Sequence, residues 1–454
     1  MAPPGLDLAD VQGLVYNGYQ TRPFAGFLFA RLPDDAVESA RAWLRDLPVA
    51  HAVRAETKRP GPKVHVAFAA SGLRALGVPD AVRDGLPQEL KDGMATRARI
   101  LGDTPAAWQL GGPDDRLDVV LLIYAETADE RTTVMAAQRT HLEAIGAQVR
   151  PDELSARASD REPFGFVDGL SQPFVPGLHA GPRAHEHPIA LGEMLLGYPN
   201  GYDKLPASPR YPDQFDLGAN GTYLVFRKLA QDVGALWTYL AAQAERLGTS
   251  PEWLGAKLVG RWPSGAPVTL ARHHDVPAHA HANTFGYLAH DADGLGCPIG
   301  AHIRRANPRD ARDGDAETSA KVVARHRILR RGRSWGSPLG IEDALAGRDD
   351  GAARGLYFIG LGASIARGFE FIQQSWLGNP GFHGLAGELD PIVGPGGCPF
   401  TIPDDPIRVR LPVVPRVVTT LGGGYFFMPS LAAIARMAAA SARPPAPRPG
   451  AGDR

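Results

Sequence analysis

Apolar positions change their period along this chain, and each change marks an element. Residues 24 to 32 are rich enough in apolar side chains to read as a strand. Asp34 then opens a helix in which Val37, Ala40, Trp43, Leu44 and Leu47 keep the spacing of one helical face. Val64, Val66 and Phe68 alternate, as one face of a second strand requires. Residues 117 to 125 are almost unbroken in apolar character and predict a central strand covered on both faces. A helix is expected from about residue 128 to 145, and a short strand near 148 to 154.

The order β-α-β-β-α-β is that of a ferredoxin-like unit, with helices on one face of an antiparallel sheet. A second such unit is expected further on: a strand at 222 to 226, a helix at 232 to 247, a strand at 356 to 361, a helix at 365 to 377 and a closing strand at 424 to 428. The halves share no sequence repeat, so the duplication is one of architecture alone. The predicted class is α+β with two ferredoxin-like units and antiparallel sheets, residues 1–155 and 156–440. The Pro-, Ala- and Arg-rich end, 441–454, reads as a disordered tail. Long segments without periodicity, about 155 to 220 and 262 to 350, are where function is expected, because compact proteins rarely keep such loops otherwise.

At 454 residues the chain is long enough for two cores. Its 48 basic and 49 acidic residues nearly cancel, which removes the bulk electrostatic case for nucleic acid or an anionic membrane and leaves small molecules as partners. Only two cysteines occur, Cys297 and Cys398, too few for a disulfide framework and suited to a reducing compartment. The start has no basic-then-apolar leader, and no apolar run is long enough to span a bilayer, so a cytoplasmic protein is expected.

Three patches in the long segments carry candidate chemistry. The first, from Pro163 to Pro173, sets Asp168 in a turn flanked by Gly165 and Gly169 and by Phe164 and Phe166, where glycine would let backbone approach a flat ligand. Taken alone, Asp168 also reads as a turn cap. The second, from Gly296 to Arg309, places His302 among small residues beside Arg304, Arg305 and Arg309. An imidazole can hold a metal there while guanidiniums neutralise carboxylates beside it, although a lone histidine is more often part of a core or surface. The third, from Arg325 to Gly336, is a basic stretch that could equally be a solvated strand. His273, His274, Asp275, His279 and His281 form a separate cluster in a Pro/Ala-rich loop; a divalent metal site is one reading and a solvated loop the other.

In their order and wording the three patches resemble the dye-decolorizing haem peroxidases: Phe-Gly-Phe-Val-Asp168-Gly, Gly-Ala-His302-Ile-Arg-Arg-Ala-Asn-Pro-Arg, and His326-Arg-Ile-Leu-Arg330-Arg-Gly. The likeness runs from the Asp10-Val-Gln-Gly segment to Gly422-Gly-Gly-Tyr-Phe-Phe and is strongest to the long-chain bacterial and fungal branch. It implies two ferredoxin-like units with one haem b held mainly by the second. It also implies His302 as axial iron ligand, Asp168 as distal acid/base and Arg330 as the distal arginine, acting on hydrogen peroxide and on organic donors such as dyes and phenols. Phe166, Val167, Gly169, Leu356 and Phe358 would shape the cavity, Arg304 and Arg309 would meet the propionates, and Asp390 would bind the second ring nitrogen of His302. Asp390 as a simple loop cap stays open beside this. Trp376 and Trp335 are the candidate surface electron-transfer residues, with ordinary burial the competing account. Two other functions share parts of this pattern: a haem carrier that uses His302 alone, and a non-haem metal hydrolase built on the 273–281 histidines.

Overall fold

The computed structural model describes residues 6–179 and 187–439; the tail expected at 441–454 lies outside them. The first unit contains strands β1 (Phe24–Arg31), β2 (Lys63–Phe68), β3 (Val119–Ala125), β4 (Gln148–Val149) and β5 (Glu153–Ala156), with helices α1 (Val37–Asp46) and α2 (Ala128–Ala144). A capping box starts α2: Thr127 Oγ1 accepts from Glu130 N at 3.1 Å, and the Glu130 carboxylate accepts from Thr127 N at 3.3 Å. The second unit contains β6 (Thr222–Gln231), β7 (Leu329–Arg330), β8 (Arg333–Trp335), β9 (Gly355–Gly362) and β12 (Val418–Met428), with helices α3 (Val233–Leu247), α4 (Pro251–Val259) and α5 (His302–Ala306). A hairpin of β10 (Cys398–Ile402) and β11 (Val409–Val414) packs Phe400, Ile402, Leu411 and Val414 into the core around Trp237 of α3.

Strand order is β4-β1-β3-β2 in one half and β12-β6-β9-β7 in the other, the ferredoxin-like arrangement twice. The halves are not separate sheets as expected. One antiparallel pair, Phe68 with Phe427, joins them into a single 10-stranded sheet. Within the second unit the basic stretch from Arg325 to Gly336, read from sequence as part of a long irregular segment or as a solvated strand, supplies two short strands, β7 and β8, that both pair with β9. They escaped the apolar pattern because each is only two or three residues long and three of the five residues between Leu329 and Arg333 are arginine. The closing strand begins at Val418, earlier than predicted, and its glycines conceal it. A Cβ on Gly422 would lie 2.1 Å from the Leu110 carbonyl oxygen, so the crossing segment tolerates no side chain there. The helix expected at 365 to 377 is wound as a π-helix, Ala366–Glu370 and Ile372–Leu377.

β1 and β6 are four strand steps apart, about 19 Å along a flat sheet. Yet the Phe27 and Phe226 rings meet edge-to-face with centroids 5.2 Å apart, and Phe29 reaches Phe226 at 4.9 Å. The sheet therefore curls until its halves face each other across an aromatic core that also takes in Tyr357 and Phe426. Its far edges approach as well: Ser155 Oγ of β5 donates to the Ser334 carbonyl of β8 at 2.6 Å. The outer face of the second half, along β6, β9 and β12, remains for the helices and for the cavity described below. No helix among the described residues is long and apolar enough to cross a membrane.

Because Phe226 is fully buried where the halves meet, Phe226→Ala is expected to cost about 3–5 kcal/mol in equilibrium denaturation. A loss below about 1 kcal/mol would mean that the facing halves contribute little to stability.

Candidate active site

A cavity of about 660 Å³ lies between the outer face of the second half-sheet, α5 and the π-helix. That size is within the roughly 300–1,000 Å³ usual for cofactor and small-molecule sites. Strand alternation builds one wall: Leu356 and Phe358 of β9 face the cavity, while Tyr357 and Ile359 between and beyond them face the inter-sheet core. Phe166, Val167, Gly169, Leu229, Ile372 and Ile392 add further walls.

His302 is the first residue of α5 and lines this cavity. Its Nδ1 lies 3.0 Å from Asp390 Oδ2 and 3.2 Å from Oδ1, which leaves Nε2 as the ring nitrogen available to a ligand. Burial opposes a charge on the imidazole, but the Asp390 carboxylate and its hydrogen bond outweigh burial and hold the His302 pKa above its ordinary value. Asp390 is itself buried, and the His302 charge and hydrogen bond, with the Val393 and Ile392 amides, still keep its pKa below the usual carboxylate range. Those amides donate to Oδ1 at 2.8 and 3.0 Å, so the same carboxylate both caps its loop and grips the imidazole.

Asp168 and Arg330 also line the cavity, with Arg330 Nη1 3.3 Å from Asp168 Oδ1. The Asp168 turn depends on Gly165, whose φ of +97° favours glycine and where a Cβ would meet Ile341 at 2.6 Å. Gln172, given no role from sequence, ties this segment to β7: its Nε2 donates to the Arg330 carbonyl and its Oε1 accepts from Arg330 N, both at 3.1 Å. The amide imitates a strand partner, a relation that nothing in the sequence of either segment announces.

Of the arginines beside His302, only Arg309 lines the cavity. Arg304 does not, which corrects the expectation that it meets propionates. Two helical residues beyond His302 it points about 200° away, and its guanidinium donates to the Cys297 and Asp291 carbonyls at 2.7 and 2.9 Å. Arg305 is fully buried and spends its donors on the Trp376, Asn379 and Glu388 carbonyls, fastening α5 to the π-helix and to the Asp390 loop. Arg327, inside the basic stretch from Arg325 to Gly336, also lines the cavity, as do Arg227, Arg261 and Arg416, none of these three singled out from sequence. They come from separate elements, so no local cluster signals them.

The surface role expected for Trp376 does not hold, because the residue is 1% exposed and packs edge-on against Phe371 and His326. Trp335 is half-buried and donates its indole N–H to the Leu229 carbonyl at 3.1 Å. Neither lines the cavity. His273, His274, His279 and His281 are exposed or partly exposed, and among the described residues no group of three or more His, Cys, Asp or Glu is placed to hold a metal ion.

No protein-family model matches the chain. Individual relatives do. A dye-decolorizing peroxidase of Mycena epipterygia is 31% identical over 424 residues, 84% of this chain and 77% of that protein. The multifunctional dye peroxidase DyP2 of Amycolatopsis sp. is 32% identical over 435 residues, 87% of this chain and 86% of its own length. This chain belongs to the dye-decolorizing peroxidase family. It is thus a peroxidase, an oxidoreductase acting on peroxide, and its relatives fit the long-chain branch. The crystal structure of AauDyP complexed with imidazole superposes with a TM-score of 0.83 at 27% identity, over 96% of this chain and 100% of that one.

Dye-decolorizing peroxidases are haem-dependent in general, and this peroxidase's cavity suits the group. Its walls are largely apolar, one imidazole nitrogen is free to bind iron while the other is fixed by a carboxylate, and Arg309 brings a positive charge to the lining, its Nη1 held by the Asn283 and Phe285 carbonyls at 2.8 and 3.1 Å. The His302–Asp390 pair predicts that Asp390→Asn lowers the His302 pKa in haem-free protein, followed through its ring proton resonances. An unchanged pKa would show that the carboxylate does not act on the imidazole.

Proposed function

We propose that this peroxidase binds one haem b per chain, reduces hydrogen peroxide and oxidises organic donors such as dyes and phenols in one-electron steps. The observation that carries this reading is the placement of an acid and a guanidinium, Asp168 and Arg330, in the same cavity as the carboxylate-fixed imidazole of His302. His302 Nε2 would hold the iron, Asp390 would set the ring's orientation and raise its basicity, and Arg309 would meet a propionate. Phe166, Val167, Gly169, Leu356 and Phe358 would bound the porphyrin.

When bound, haem would supply a store for the two oxidising equivalents of peroxide, which donors discharge one electron at a time. The protein's own part is proton and charge management. Asp168, as carboxylate, takes the proton from peroxide and returns it to the departing oxygen, so that one group serves as base and then as acid. Arg330 stabilises the hydroperoxide anion and the negative charge that grows as the O–O bond breaks. The cytoplasm is the proposed location, in keeping with two free cysteines, Cys297 and Cys398.

Asp168→Asn keeps the shape of the side chain but removes its basicity. In the haem-loaded protein it is expected to slow the reaction with peroxide by about 10²–10⁴-fold, read by stopped-flow absorbance, with haem content unchanged. A rate equal to that of the unaltered protein would place proton transfer elsewhere. Peroxide-dependent turnover of a phenolic dye by the unaltered protein separates the enzyme from a haem carrier, which would stay inert.

A further inference from the structure

Glu162 takes no part in the two pairs described above, yet it lines the same cavity six residues ahead of Asp168. Its carboxylate is fully engaged. Oε1 accepts from Phe166 N at 3.0 Å, and Oε2 accepts from Phe164 N at 3.0 Å and from Gln231 Nε2 of β6 at 2.7 Å. Its own N–H donates to the Phe166 carbonyl at 2.9 Å, and its carbonyl accepts from Gly165 N at 2.8 Å. From α3, Trp237 Nε1 donates to the Phe164 carbonyl at 3.0 Å, and the indole stacks on the Phe166 ring at 10°.

The segment between Glu162 and Asp168 has no strand or helix to satisfy its amides. The Glu162 carboxylate accepts from two of them, Phe164 N and Phe166 N, while Val167 N and Asp168 N donate to the Pro263 and Asp160 carbonyls at 3.3 and 3.0 Å. Through Gln231 the same carboxylate fastens the turn to the sheet. The other end of that amide, Gln231 Oε1, is buried without a hydrogen-bond partner among the described residues, so the contact with Glu162 fixes the orientation of Gln231. Burial pushes the Glu162 pKa up to about 7, the three donors oppose the rise, and the nearby Asp168 charge adds to it. An isolated carboxylate here would be costly, and an aliphatic side chain would leave two amides unpaired.

We propose that Glu162 is a positioning residue for the peroxide reaction: its carboxylate fixes the 162–168 turn so that Asp168 is presented to the cavity in the geometry that proton transfer requires. The inference rests on the reading of Asp168 as the acid/base. Groups that transfer protons act over a fraction of an ångström, and a supporting contact can therefore control a rate without touching substrate.

The test uses the haem-loaded full chain and Glu162→Gln, which sets an NH2 group against a backbone donor while keeping the side chain's size. The reaction with peroxide is expected to slow by about 10-fold or more, with haem content and the donor KM unchanged. Cyanide binding gives a readout apart from turnover, because hydrogen cyanide must also surrender a proton; its rate should fall by a similar factor. In an Asp168→Asn background, Glu162→Gln should change the peroxide rate by less than about twofold, since the two act through one proton. Effects that multiply in the double variant, or a normal rate in Glu162→Gln beside a slowed Asp168→Asn, overturn this inference alone. A normal rate in Asp168→Asn overturns the acid/base reading and the inference with it. If Glu162→Gln does not fold, Gln231→Leu removes one of the three donors and should slow peroxide by about threefold; an unaltered rate there overturns the inference as well.

Discussion

Asp390 is a carboxylate removed from water, and a buried charge persists only where donors converge on it. Here the donors are the His302 imidazole and the Ile392 and Val393 amides. Much of the architecture around the cavity serves this requirement. The Asp390 loop must lie against α5, and Arg305 secures that contact by donating to the Glu388 carbonyl in the loop and to the Trp376 carbonyl in the π-helix. With one ring nitrogen committed, the imidazole can present only the other to the cavity. Removing the carboxylate would release the ring and leave the loop uncapped together.

The opposite wall is built by different means. Asp168 rides on an irregular turn and Arg330 on a two-residue strand, neither rigid by itself. Side chains supply what backbone ladders do not: Gln172 joins the turn to β7, and Glu162 with Gln231 joins it to β6. Behind both, the curled sheet holds β6 and β9 against the first unit through Phe27, Phe226 and Tyr357. One strand therefore faces two environments, the aromatic core with Tyr357 and the cavity with Leu356 and Phe358. A change in the core reaches the cavity along that strand.

Much of this was legible in the order of residues, for reasons that differ by element. Strands β1 and β3 announced themselves through apolar runs and β2 through alternation, and α2 and α3 lie where helices were expected, at 128 to 145 and 232 to 247. His302, Asp168 and Arg330 were found through local motifs, and the structure brings all three to one cavity. What stayed hidden is non-local. β7 and β8 owe their pairing to β9, not to their own pattern; the joining of the two halves rests on a single pair, Phe68 with Phe427; and the cavity arginines Arg227, Arg261 and Arg416 converge from distant segments. Arg304 misled because adjacency in sequence is not adjacency around a helix. Trp376 misled because a polar-flanked tryptophan gives no sign that a π-helix will turn it inward.

The most direct measurement is the visible spectrum of the protein titrated with haem, taken before and after one equivalent of hydrogen peroxide. The expected result is a Soret band of histidine-ligated haem that saturates at one haem per chain, changes on mixing with peroxide and returns when a one-electron donor is added. A chain that takes up no haem in this cavity, or whose haem spectrum is indifferent to peroxide, would contradict it.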